Sequence, residues 1–143
     1  MTKVNLDNYT PHHEGRHAKF VSEENRCKHI GNNVRSALVR QFKFDGEVIP
    51  KNADTDRCDY ILLNDEAPAV YYIELKGSSI RKAIKQVEKS FDMCHESLPG
   101  YKSYFRIIYH SGTHDLKSRD VVNWQIKNKK SAAIKSRQYE EDI

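Results

Sequence analysis

No run of eighteen consecutive apolar residues occurs anywhere in this chain, which excludes a hydrophobic helix able to cross a bilayer. The opening MTKVNLDNYT also lacks the apolar core of a signal peptide. Cysteine is scarce: Cys27, Cys58 and Cys94 are odd in number, far apart, and contain no CxxC pair. That excludes a disulfide framework and leaves a reducing, cytoplasmic setting as the expectation. A large excess of one charge is missing too. With 24 Lys+Arg against 20 Asp+Glu, the net charge of +4 permits a phosphate-rich partner without demanding one. There is no internal repeat, and the only biased tract is lysine-rich and close to the C-terminus.

What is present suits one α/β domain. The 143 residues are enough to bury one ordinary core, and the composition, 38% hydrophobic and 31% charged, lies outside the disordered regime. Residues 1–21 read as an irregular arm carrying His12, His13 and His17. Ser22, followed by Glu23 and Glu24, has the form of a helix N-cap with acidic first-turn residues. Ile30, Val34 and Leu38 then recur at four-residue spacing, so a helix is expected over about 22–40. A strand over 42–49 follows, interrupted by Asp45-Gly46 and ended by Pro50. Two near-continuous apolar runs, Cys58 to Leu63 and Val70 to Leu75, are joined by a polar turn and read as a hairpin of buried strands. Ile80, Ala83, Ile84, Val87 and Phe91 form an apolar stripe at helical spacing, predicting a helix from Ile80 to about Leu98. Tyr104 to Tyr109 is the fourth strand, parallel to the third through the crossover helix. The sheet is therefore mixed. Val121 to Ile126 reads as an edge strand or short extension, and the tail from Lys127 as a solvated helix or a disordered segment.

The hairpin carries acidic side chains where burial should forbid them. Isolated charges persist inside strands mainly when paired or holding a metal ion. Asp59 lies near the start of one strand, and Glu74 and Lys76 near the end of its antiparallel neighbour, so the turn alone brings all three to one end of the sheet. Glu74 and Lys76 are two apart and share a face. Two carboxylates converging with a lysine form a hard oxygen site suited to Mg²⁺ or Mn²⁺. An ion there lowers the pKa of a water and neutralises charge on phosphoryl oxygens, with Lys76 orienting the nucleophile.

At these residues the chain resembles the PD-(D/E)xK, or restriction-endonuclease-like, nuclease superfamily. Asp59 matches the first Asp of the pattern and Glu74-Leu75-Lys76 the second part, within a helix, three strands, helix, strand order covering about 22–110. Cys58 stands where the family usually has Pro. The resemblance implies an αβββαβ core with a central mixed sheet flanked by helices. It further implies phosphodiester hydrolysis of nucleic acid, DNA rather than RNA, by a metal-activated water, with Mg²⁺ or Mn²⁺ held by Asp59 and Glu74. It also suggests Gln86, on the following helix, as a catalytic-site residue, and Glu24 as a further metal ligand from the first helix. Arg81, Lys82, Lys85 and Lys89 would contact phosphates. So small a chain presents little surface to a duplex, which points to a homodimer or docking on a larger complex. The alternative on the same fold is a non-catalytic nucleic-acid-binding or protein-interaction module.

Overall fold

The computed structural model describes residues 2–76, 79–111 and 114–143. A 3-10 turn at Leu6–Asn8 leads into β1 (His13–Gly15), β2 (Lys19–Glu24), β3 (Cys27–Asn32), β4 (Val39–Lys43), β5 (Tyr60–Asn64) and β6 (Ala69–Lys76). Then come α1 (Ile80–Cys94), β7 (Lys102–Tyr109), α2 (Arg119–Lys127), β8 (Ala132–Ser136) and β9 (Gln138–Asp142). The class is α/β. One sheet is six-stranded in the order β1-β4-β5-β6-β7-β8, and a second has the order β2-β3-β9. In the large sheet β4, β5 and β6 run antiparallel, whereas β6, β7 and β8 are parallel, linked through α1 and α2.

The two-sided burial of β5 and β6 explains their unbroken apolar composition. Ile61, Leu63 and Tyr72 pack against Ile80, Ala83 and Val87 of α1 and Val121 and Trp124 of α2. Tyr60, Leu62, Tyr71, Ile73 and Leu75 face the small sheet, meeting Phe20, Cys27 and Tyr139. Instead of one core, the large sheet thus separates two, with helices over one face and the small sheet over the other. At the β5–β6 turn the Asn64 side chain accepts the N–H groups of Glu66 and Ala67 through Oδ1, at 3.0 and 2.9 Å, an Asx turn that fixes the hairpin register.

The expected helix over 22–40 does not form. Burial alternates along Lys19–Glu24 and Cys27–Asn32 with period two, and the segment is the β2–β3 hairpin, joined by Asn25 (φ 51) and Arg26 (φ 61). Both turn residues adopt the left-handed conformation that two-residue hairpin turns require. The four-residue spacing of Ile30, Val34 and Leu38 was a coincidence: Val34 and Leu38 are exposed, and Asn33 closes a turn by exchanging hydrogen bonds with Ala37. The strand expected over 42–49 is instead β4, which ends at Lys43 before a turn through Gly46 (φ +116). The arm is also more ordered than its composition suggested. β1 pairs with β4, the Val4 N–H bonds the Met93 carbonyl at 2.8 Å, and His13 and His17 stack beside Phe20. The crossover helix ends at Cys94, one turn earlier than expected, in a 3-10 turn at His95–Ser97. The segment around Val121 is a helix, and the lysine-rich tail supplies β8 to the large sheet and β9 to the small one. Among the described residues no helix is long and apolar enough to cross a membrane.

Candidate functional site

Asp59 stands one residue before β5. The register sets Tyr60 opposite Ile73, and the Asp59 N–H extends the ladder by bonding the Ile73 carbonyl at 3.0 Å. Tyr60 and Asp59 thus both lie against Ile73, a two-against-one step that ends the ladder beside Glu74. Asp59 Oδ2 accepts the Leu75 N–H at 2.8 Å, and the Glu74 carboxyl lies close enough to act on the Asp59 carboxyl. Both side chains are buried, Asp59 with 9% and Glu74 with 2% of its surface exposed.

The approach to Asp59 is braced from two sides. Arg57 donates to the carbonyls of Pro50, Lys51, Ala53 and Thr55 and to Asp45, which makes the polar loop a rigid collar. The Cys58 N–H donates to Ser90 Oγ of α1 at 2.8 Å, and that hydroxyl donates to the Gln86 carbonyl at 2.9 Å. The tip of the β2–β3 hairpin closes the other side. Asn25 Nδ2 donates to the Leu75 carbonyl at 2.9 Å, so the Leu75 peptide is held at its N–H by Asp59 and at its C=O by Asn25.

Burial pushes the Asp59 carboxyl up to about 6, aided by the negative charges of Glu24 and Asp45 and opposed by the Leu75 N–H and Glu74. Asp59 therefore binds its proton more tightly in the folded chain than in the unfolded one. Between the ordinary 3.8 and about 6 the folded state holds the extra proton, so stability falls as pH rises through that window and stays lower above it. Asp59→Asn keeps an acceptor for the Leu75 N–H and adds a donor toward Glu74. It is expected to raise the melting temperature of metal-free protein near neutral pH by roughly 3–8 °C, equivalent to about 1–3 kcal/mol. It should also flatten the acid side of the stability curve. Thermal melts across pH check this, and a variant that melts lower at neutral pH contradicts it.

Glu24 reaches this region from the end of β2 and not from a helix, and acts on Asp59 through its charge. Among the described residues no group of three or more His, Cys, Asp or Glu is gathered to hold a metal ion, so Glu24 does not complete a three-ligand shell. Asp59 and Glu74 alone form a pair of oxygen donors. That is the contribution Mg²⁺ takes from proteins when waters and phosphate oxygens supply the remaining ligands. Lys76 closes β6 opposite Tyr109, and its side chain lies outside the described residues. Gln86 is half-buried on α1 and lines a polar cavity of about 390 Å³ with Asp45, Asp56, Arg57 and Lys82. Its Oε1 is buried without a hydrogen-bond partner among the described residues.

The sequence of residues 3–127 matches the family model of the type I restriction enzyme R protein N terminus. The chain belongs to that family. Membership puts it among restriction-enzyme-related proteins, and the matched span takes in Asp59, Glu74, α1 and all of α2, leaving β8 and β9 beyond it. No curated protein and no solved structure matches the chain.

The basic residues of α1 divide by environment in this R-protein-family chain. Arg81 is committed to Asp120 of α2, Nε to Oδ2 at 2.7 Å and Nη2 to Oδ1 at 3.2 Å, so its charge is balanced within the fold. Lys82 and Lys85 are exposed, and neither is in an ion pair among the described residues. They rim a cavity between α1 and α2, whereas Lys89 lies outside its lining. Sequence reasoning missed the hairpin turn at Asn25 and read the segment carrying Trp124 as an edge strand or short extension where a helix forms. An Asn at a two-residue turn between alternating segments is a recognisable hairpin signal, and Val121 and Trp124, three apart behind Ser118, have the spacing of a capped helix.

Proposed function

We propose that this chain is a metal-dependent nuclease of the PD-(D/E)xK type that hydrolyses phosphodiester bonds of DNA as part of a restriction system. The observation that supports the reading is the contact of two buried carboxyls, Asp59 and Glu74, at one end of the central hairpin, in a chain of the type I restriction R family. Asp59 and Glu74 would hold Mg²⁺ or Mn²⁺, which when bound supplies Lewis acidity to water and to the phosphoryl group. Asn25 and the Leu75 peptide fix the carboxylate orientation, and the Arg57 collar keeps the approach to Asp59 rigid. Lys76 would sit beside the attacked phosphate, and Gln86 would present its amide to the nucleophile or to the strand. Lys82 and Lys85 bind backbone phosphates, which makes affinity salt-dependent. The family favours a larger multisubunit assembly over a homodimer as the partner.

A panel of labelled duplex, single-stranded and junction DNA and RNA, incubated with Mg²⁺, Mn²⁺ or EDTA, tests this reading. Cleavage of DNA with either metal and none in EDTA is expected. Binding to DNA with no cleavage under any metal condition would favour a non-catalytic nucleic-acid module.

A further inference from the structure

Between the first turns of α1 and the start of α2 lies a cavity of about 670 Å³, lined by Ile84, Val121 and Trp124 and rimmed by Ser79, Lys82 and Lys85. Arg81 and Asp120 also line it but neutralise one another, and Asp56 adds one negative charge. Lys82 and Lys85 therefore give the rim a net positive charge above an apolar and aromatic wall. An aromatic body with an anionic end matches both parts. Asp56 and Lys82 also line the smaller cavity that holds Gln86 and Asp45, so the two hollows adjoin. Asp45 in turn is one of the charges that act on Asp59. The α1–α2 cavity thus adjoins a hollow that holds Gln86 and an acidic neighbour of Asp59.

We infer that this cavity binds one unpaired nucleotide of the nucleic acid, its base against Trp124, Ile84 and Val121 and its phosphate at Lys82 and Lys85. The inference deepens the nuclease reading and rests on it for the identity of the strand that approaches. Stacking on an aromatic wall accepts any base and needs the base out of its duplex, which gives the chain a preference for single-stranded or distorted DNA at this position. The second crossover creates the pocket: α2 carries Trp124 over α1, and the Trp124 indole N–H is held by Glu88 at 3.1 Å, which fixes the ring in place.

Trp124 is the sole tryptophan of the chain, so intrinsic fluorescence reports on this wall alone. A short labelled single-stranded oligodeoxynucleotide, and separately thymidine monophosphate, are titrated in EDTA while tryptophan emission and oligonucleotide anisotropy are followed. Saturable quenching by both is expected, and the Lys82→Ala/Lys85→Ala double variant should weaken it roughly tenfold with an unchanged melting temperature, since both lysines are exposed. Inorganic phosphate should leave the emission unaltered. Anisotropy that reports oligonucleotide binding with no change in tryptophan emission would overturn the pocket and leave the nuclease reading standing. Quenching that depends on the lysines, in a protein that cuts nothing with Mg²⁺ or Mn²⁺, would support the pocket and overturn the nuclease reading. Absence of both signals would overturn the pocket.

Discussion

Asp59→Asn and Glu74→Gln are each expected to lower Mg²⁺- or Mn²⁺-dependent cleavage of DNA by on the order of 10³-fold or more, because each removes a full negative charge from a two-carboxylate site. Both substitutions are isosteric, and Asn at position 59 retains the acceptor that takes the Leu75 N–H at 2.8 Å. The informative comparison is between activity and stability of the same variant. Burial and the fields of Glu24 and Asp45 make an ionised Asp59 unfavourable in the folded chain, so Asp59→Asn should melt higher while cutting far less. That opposition is the mark of a charge retained for function at the expense of stability. A merely structural carboxyl pair gives no such split. The measurement is a steady-state cleavage rate beside a thermal melt for each variant. A stabilised Asp59→Asn protein that still cleaves within tenfold of the parent would remove this pair from the site. Metal binding adds an independent check, since a divalent ion that binds only the folded parent must raise its melting temperature and should lose that effect in the Asn variant.

The central hairpin and crossover helix were legible because their residues obey local rules. β5 and β6 are buried on both faces and so are apolar without interruption, and α1 carries its stripe at helical spacing behind the Ser79 cap, whose side chain accepts the Lys82 N–H. From those two elements and one turn, the meeting of Asp59 with Glu74 follows. What escaped is structure decided by long-range contact. Ser22-Glu23-Glu24 has the chemistry of a helix start, yet β2 and β3 form because Phe20, Cys27 and their neighbours cover the second face of the large sheet, a surface that no local window reveals. β8 and β9 are short edge strands rich in Ala, Lys and Glu, residues with little intrinsic strand preference. They exist because β7 and β3 offer unpaired edges. The same cause displaced the Glu24 reading: the residue comes near Asp59, but from a hairpin tip.

Arg106→Ala should destabilise the fold by about 3–5 kcal/mol, lowering the melting temperature by roughly 10 °C. Arg106 lies on β7 and reaches across to Glu141 of β9 with a bidentate pair at 2.7 and 3.0 Å. It also donates to the carbonyls of Phe105 and Ser131, and its guanidinium packs against Tyr71, Tyr104 and Tyr139. On the other side of Glu141, the wholly buried His29 of β3 places Nε2 at 2.7 Å from the carboxylate. This set ties the small sheet to the large one, and truncating Arg106 leaves a largely buried carboxylate with much of its charge uncompensated. Arg106→Lys should recover only part of the loss, since an ammonium cannot make the forked pair or stack on the rings. The pH dependence runs opposite to that of Asp59. Burial pushes the Glu141 carboxyl up, but His29 and Arg106 hold it below its ordinary value of 4.5, so its stabilisation is present above that value and is lost as pH falls below it. Arg106→Ala should abolish that acid-side loss along with the stability. Urea unfolding that gives Arg106→Ala the parent's midpoint would show the two sheets to be joined by their apolar faces alone. A lowered midpoint would give the hairpin tip carrying Glu24 and Asn25 its anchor, since β3 is held to β9 and through Glu141 to the strand beside Glu74.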